Sequence, residues 1–196
     1  MSQPAGSGRA REAGAAFQAG LAEELAARGI VLGRRLGEGS VGATWRAHEA
    51  DPRGSGRAVA VKRVGGLGRS AGRLARRLES ACQLREPHLL HFLSAFSVRG
   101  SVVVVSPLDE GVPLSRLAAG RKLPRACVLA VGLGVLNALT SLHQAGLWHG
   151  ALHPGNVHVG KNGSVRLGHF ALTPAFPEQS PGALRTADVR AAGALL

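Results

Sequence analysis

The sequence predicts an α+β fold in which a small antiparallel sheet is followed by a mainly helical part. Two observations lead to this prediction. Short apolar stretches at 30–36, 43–47 and 58–64 are separated by Gly-rich turns, which is typical of an antiparallel sheet. A long apolar stretch at 124–144, introduced by a proline, indicates one extended helix in the second half. We therefore expect an N-terminal extension with a short helix at 1–29, a sheet part at 30–107 and a helical part at 108–196.

The N-terminal extension divides into two stretches. Residues 1–10 are rich in Gly, Ser, Pro and Ala, a composition typical of disorder. Residues 12–28 place Phe17, Leu21 and Leu25 on one helical face, which predicts a docking helix. We expect this helix to cover part of the apolar surface beside the end of the chain.

The remaining elements follow from local patterns. A helix is predicted over 69–84, because Glu86-Pro87 ends it. Two strands follow at 91–98 and 101–106, then a short helix at 114–119. Two further strands at 156–159 and 164–167 are joined by a Lys161-Asn162-Gly163 turn. The last eight residues are mostly apolar, so we expect exposed hydrophobic surface there.

Composition excludes several classes of protein. Apolar residues make up 45% of the 196 residues and charged residues 18%, which rules out a disordered or collagen-like chain. The formal charge of +12 suits an anionic partner, so a nucleic-acid-binding module remains an alternative. The chain has no Tyr, and the basic stretch 69–85 has no interleaved aromatics, so a solvated basic surface is favoured over nucleic acid.

Targeting and cysteine signals are sparse. The apolar run at 126–139 is shorter than a bilayer requires, and residues 1–16 lack the apolar core of a secretory signal. We expect no membrane segment and a cytoplasmic location. Cys82 and Cys127 lie in apolar helical patterns without metal-ligand spacing, which predicts buried free thiols.

A glycine motif and a lysine point to phosphate binding. Gly37, Gly39 and Gly42 form a Gly-x-Gly-x-x-Gly pattern between two predicted strands, although a tight hairpin would explain it equally well. Lys62 ends the apolar strand Val59-Ala60-Val61 and is one of three lysines in an arginine-rich chain. A compact ammonium at this position indicates a need for a point charge, unless it is a solvated strand end.

Together with later motifs, these residues resemble the protein kinase family of bacterial Ser/Thr type, from Ile30 to Leu196. Ser106 is similar to the gatekeeper and Pro107-Leu108-Asp109 to the hinge. The segment from His149 to Asn156 resembles the catalytic loop, Gly168-His169-Phe170-Ala171 the metal-binding Asp-Phe-Gly region, and Phe176-Pro177-Glu178-Gln179 the end of the activation segment. The resemblance implies a two-lobed kinase-like fold with an incomplete large lobe.

The positions that would perform catalysis have changed. The resemblance places Ala151 where the catalytic Asp belongs, His153 at the catalytic-loop Lys and His169 at the Mg²⁺-binding Asp. Asn156 remains as the second metal-ligand position, and one neutral amide is insufficient for Mg²⁺. No catalytic set is intact, so phosphoryl transfer is not expected.

The resemblance assigns the nucleotide-binding and structural positions as well. The nucleotide-binding set is Gly37, Gly39, Gly42, Ala60, Lys62 and Leu108, and the structural set is His149, Phe170 and Asp188. Thr44 and His158 make the adenine slot polar, and Arg77 stands where a Glu would pair with Lys62. We therefore expect weak ATP binding and a defective Mg²⁺ site. A transition-metal site built from the histidines is disfavoured, because they lack a paired ligand spacing.

Four functions are left open. A pseudokinase that binds or regulates a protein partner, with self-association through exposed apolar surface, is favoured. The alternatives are a weak or atypical Ser/Thr protein kinase using Lys62 and Asn156, a basic nucleic-acid-binding module, and a decaying kinase fragment.

Overall fold

The computed structural model describes residues 18–39, 42–51, 56–172 and 180–195. A five-stranded antiparallel sheet has the order β1-β2-β3-β5-β4. Its strands are β1 (Ile30–Gly39), β2 (Gly42–Glu49), β3 (Ala58–Val64), β4 (Ser94–Val98) and β5 (Ser101–Pro107). A second sheet joins β6 (Val112–Pro113), β7 (Val157–Val159) and β8 (Val165–Leu167).

The helices are α1 (residues 18–26), α2 (Ala71–Ala81), α3 (Leu114–Leu117), α4 (Arg125–Gln144) and α5 (Pro181–Leu195). The predicted α+β architecture is thus confirmed. The predictions for residues 1–17, for the loop at 40–41 and for the motif at 176–179 fall outside the described residues.

Two predicted elements are shorter than expected. The strand predicted over 91–98 begins at Ser94. The residues just before the predicted strand pair with the second sheet, since Leu90 N donates to Leu167 O and Leu167 N to His88 O, and the chain returns to β5 where Leu93 N donates to Val105 O. The helix predicted over 69–84 is a 3₁₀ turn (Gly68–Ser70) followed by α2. Its C-terminal end tightens into short-range bonds, such as Leu84 N to Ala81 O.

Helix α1 covers the back of the five-stranded sheet. Leu21 and Leu25 are fully buried in a cluster with the sheet residues Trp45, Val61 and Val103. The expectation that this helix covers apolar surface beside the end of the chain is therefore wrong. The alternation of β3 presents a second apolar face to α1, and this face binds the helix.

The other face of the sheet packs on α2 and continues into the core around α4. This cluster includes Leu78 of α2, Val135 and Leu142 of α4, and Phe170. Exposed apolar surface was expected at 189–196, where Val189 is 55% exposed and Ala192 is buried. Outside that stretch, three leucines of α4 are 46–64% exposed. They are Leu129, Leu133 and Leu136.

Two sequence predictions concerning α4 need correction. Within the described residues it is one helix of 20 residues, long and apolar enough to cross a bilayer by length and composition, so the argument that the segment is too short is wrong. The same test is passed by core helices of soluble proteins, and part of α4 is buried in the fold. Both cysteines are free, but Cys127 is exposed rather than buried, because it lies on the solvent side of the first turns of α4.

Candidate functional site

A cleft between the five-stranded sheet and the segment after α4 contains two adjoining cavities of about 370 and 430 Å³. They share Gly37, Thr44, Lys62, His169 and Leu172. The 370 Å³ cavity reaches the hinge, and the 430 Å³ cavity reaches the glycine hairpin and the catalytic-loop segment. The fold therefore brings both groups of predicted nucleotide-binding residues to one space.

The three motif glycines differ in whether the surrounding structure leaves room for a side chain. Gly42 has a φ of +146°, and a Cβ there would lie 1.8 Å from the carbonyl oxygen of Arg63, so the strand pairing itself demands glycine. At Gly37 and Gly39 a Cβ would meet no described atom within 4 Å, and both residues line the cavity. The hairpin explanation therefore holds for Gly42, whereas Gly37 and Gly39 leave open space beside the cavity.

Strand β3 carries Ala60 and Lys62 on its cleft face. Lys62 is half-buried and lies opposite Thr44 of β2 and Val104 of β5. Burial lowers the pKa of its ammonium, because the charged form loses hydration. Among the described residues no acidic side chain forms an ion pair with Lys62.

Arg77, at the position where the family resemblance would place a Glu, turns away from Lys62. One guanidinium nitrogen donates to the carbonyl of Ala171 at 2.9 Å, and the guanidinium carbon lies 5.4 Å from the centre of the Trp148 ring. Burial lowers its pKa. This contact links α2 to the residues after Phe170, and the sequence contains no signal of it beyond the missing Glu.

The hinge is fixed by polar contacts on one side. Leu108 N donates to Ala58 O at 3.2 Å. The carboxylate of Asp109 accepts from Nδ1 of His158 at 2.7 Å and from the guanidinium of Arg166 at 2.9 Å. The hydrogen bond from His158 is the main reason why the pKa of Asp109 lies below its usual value. Sequence reasoning missed this cluster; it identified His158 as a polar residue of the adenine slot and did not foresee its partners.

His149, Phe170 and Asp188 lie together beneath the catalytic-loop segment. The buried carboxylate of Asp188 accepts from His149 N at 2.8 Å and from Gly150 N at 2.9 Å. His149 is fully buried with Nε2 3.0 Å from Gly168 O, and desolvation lowers its pKa to about 4. Phe170 is fully buried and stacks on Phe92 at 4.4 Å. These contacts of the three residues are with backbone atoms and side chains of the protein itself, which fits a structural role.

The catalytic and metal positions form a closed group. Asn156 is buried; its Oδ1 lies 2.9 Å from Nδ1 of His169, and its Nδ2 donates to the carbonyl of Ala151 at 2.8 Å. Burial first, then the cation of Lys62, lowers the pKa of His169 to about 3, so its imidazole is neutral. His153 is exposed and accepts from Gly155 N at 3.0 Å.

These residues do not fit Mg²⁺, which prefers a near-octahedral set of oxygen ligands. The one suitable oxygen, Oδ1 of Asn156, is already bonded to His169, and Ala151 offers no side-chain ligand. In the part of the chain that the structure describes, no group of three or more His, Cys, Asp or Glu residues is placed to hold a metal. A nucleotide, by contrast, fits the volume and the lining of the cleft.

Comparison with known proteins agrees with this geometry. Serine/threonine-protein kinase 36 of Pongo abelii is 34% identical over 144 residues, which are 72% of this chain and 11% of that protein. CBL-interacting protein kinase 4 of Oryza sativa subsp. japonica is 32% identical over 166 residues, 80% of this chain and 36% of that protein. This chain thus spans well under half the length of either relative.

Solved kinase structures have the same fold. The kinase domain of PknI from Mycobacterium tuberculosis superposes with a TM-score of 0.68 at 24% identity, covering 85% of this chain and 70% of that domain. Rad53 in complex with AMP-PNP gives a TM-score of 0.70 at 20% identity, covering 87% of this chain and 47% of that one. The model of the protein tyrosine and serine/threonine kinase family matches residues 30–188, and the chain therefore belongs to the protein kinase family.

Proposed function

We propose that this protein is a pseudokinase, a kinase-like scaffold that binds a protein partner and does not transfer phosphate. The observation that carries the proposal is the closed group at the catalytic positions. Ala151 has no group to accept a proton, and the hydrogen bond from His169 occupies the oxygen of Asn156. Loss of a positioned base alone lowers a rate by about 10²–10⁴. Loss of the metal clamp removes a further electrostatic contribution that is usually larger.

The cleft retains the shape for a nucleotide. Lys62 lies at its phosphate end and the hinge backbone around Leu108 at its base end, and both line the 370 Å³ cavity. The structural neighbour Rad53 was solved with AMP-PNP, which supports a nucleotide as the ligand of this cleft. Because Thr44 and His158 must be desolvated when adenine enters, we expect a dissociation constant on the order of 0.1–1 mM for ATP, or about 4–5.5 kcal/mol.

A weak or atypical protein kinase is the second candidate. It is favoured by the relatives, of which one is named a serine/threonine-protein kinase and another a protein kinase, and by the presence of Lys62 in the cleft. Against it stands the lack of any described residue that could replace both Ala151 and the metal ligands.

A phosphotransfer assay separates the two candidates. The purified chain is incubated with labelled ATP and either Mg²⁺ or Mn²⁺, alone and with mixed Ser/Thr peptides. We expect no incorporation above that of Lys62→Met, with the exposed Lys122→Met as the matched control. Metal-dependent labelling that Lys62→Met abolishes and Lys122→Met preserves would establish the kinase instead.

A further inference from the structure

The phosphate end of the cleft carries cationic and neutral groups without an available carboxylate. Lys62, His153 and His169 line the 430 Å³ cavity. Among its described lining residues, the one acidic side chain is Glu38, which is exposed and forms an ion pair with Arg35. A ligand that enters this end therefore meets the positive charge of Lys62, and the carboxylate of Glu38 is offset by its ion pair with Arg35.

The same region offers a divalent cation very little. To bind beside Asn156, the ion would have to break the hydrogen bond between Asn156 Oδ1 and His169 Nδ1, and it would lie in the same cavity as the Lys62 ammonium. Repulsion between this ammonium and a divalent ion is not offset by any carboxylate of the described lining except Glu38.

We propose that the cavity binds the phosphate groups of a nucleotide free of divalent metal, and that Mg²⁺ weakens this binding. The reasoning concerns charge: complexation with Mg²⁺ removes two negative charges from the triphosphate, and the protein gains no contact with the ion in return. Lys62 then loses part of its attraction to the ligand. This inference rests on the proposed nucleotide site and adds the form in which the ligand binds.

Calorimetric titration tests the proposal with ATP and with adenosine, each in excess EDTA and in excess Mg²⁺. We expect ATP to bind about tenfold more weakly in Mg²⁺, which corresponds to about 1.4 kcal/mol. Adenosine has no phosphates, so its affinity should not depend on Mg²⁺. Lys62→Met should lose the Mg²⁺ dependence for ATP, whereas the exposed Lys122→Met should retain it.

A second variant should remove the expected effect of Mg²⁺. His169→Asp supplies a carboxylate and releases Asn156 Oδ1, so Mg²⁺ should no longer weaken ATP binding in this variant. Melting curves of each variant establish that it is folded.

The outcomes separate this inference from the proposed function. Tighter ATP binding in Mg²⁺, or equal affinity of ATP and adenosine in EDTA, overturns the inference and leaves the nucleotide site intact. Failure of both ATP and adenosine to bind under all conditions overturns the nucleotide site and the inference together.

Discussion

Replacement of Arg77 by Met tests whether this arginine holds helix α2 against Ala171 and Trp148. The substitution removes a charged hydrogen bond to Ala171 O, of a kind worth about 1.5–3 kcal/mol. It also removes the cation–π contact with Trp148, worth about 0.5–1 kcal/mol. Methionine needs no desolvation of a charge, which offsets part of the loss. We expect a decrease of about 2 kcal/mol in the free energy of unfolding.

For a chain of this length, such a decrease corresponds to a melting temperature lower by about 4–8 °C. Thermal and urea unfolding followed by far-UV circular dichroism measure it, and Trp148 fluorescence reports the local change. Arg76→Met is the matched control, because Arg76 is the exposed neighbour on the same helix and should change stability by less than about 0.5 kcal/mol.

A double-mutant cycle then isolates the contact with the ring. Arg77→Met combined with Trp148→Leu should be less destabilising than the sum of the two single changes. Equal stability of the Arg77→Met and Arg76→Met variants would refute the claim that the Arg77 contacts stabilise the position of α2. Destabilisation of the same size by Lys62→Met would also refute it, since it would show that α2 still depends on the lysine.

Three further predictions concern stability and assembly. Because His149 and His169 have pKa values of about 4 and 3 in the fold and about 6.5 when unfolded, the unfolded chain binds more protons; urea titrations should show stability falling as pH drops from 6.5 towards 4, and a flat profile contradicts this. Ala171→Gly should stabilise the protein by about 1 kcal/mol and so raise the melting temperature, because Ala171 has a φ of +55°, which is strained for a residue with a Cβ. An unchanged or lower melting temperature argues against this strain. Helix α4 exposes an apolar face with no charged side chain after its first residue, so a second copy of this +12 chain can approach there with the least repulsion. Light scattering should show a concentration-dependent dimer that Leu133→Glu abolishes and the exposed control Val31→Glu retains; a monomer at all concentrations rules out this mode of association.

Most of the fold could be predicted from the sequence because its strands are bounded by local signals. Strand β2 alternates more and less buried residues and ends at the charged Glu49, and β3 ends where predicted, at Val64. The strand predicted from residue 91 begins only at Ser94, because residues 88–90 just before it pair with Leu167 in a distant sheet. A long-range partner of this kind leaves no local pattern.

The docking helix shows the same limit. Its apolar face was evident from Leu21 and Leu25. Helical periodicity predicts that such a face is buried, but it does not predict which part of the protein the face packs against. The back of the sheet was available because Val59 and Val61 alternate with cleft residues on β3. The sequence therefore indicates both apolar faces, that of the helix and that of the sheet, but it does not indicate that they pack together.

At the site, residue identities were predictable and their partners were not. The family resemblance places His169 at the position of an acid, but it does not predict that the imidazole bonds to Asn156. The sequence showed a polar His158, yet not that Asp109 and Arg166 hold it. These contacts join residues 13 to 57 positions apart, and each depends on how the sheets and loops meet in space.

The changes at the cleft divide the family's residues into two groups by what they contact. Asp188, His149 and Phe170 contact backbone groups and side chains of the fold, including the imidazole of His143 at Asp188, so their loss would leave buried atoms exposed or unpaired. The resemblance places Ala151 and His169 at positions that act on a ligand in other kinases rather than on the core. The hydrogen bond from His169 also engages Asn156, the residue that the resemblance places at the second metal-ligand position, with a partner within the protein. Restoring one acid alone therefore supplies either the base or one metal ligand, and both are needed together for phosphate transfer.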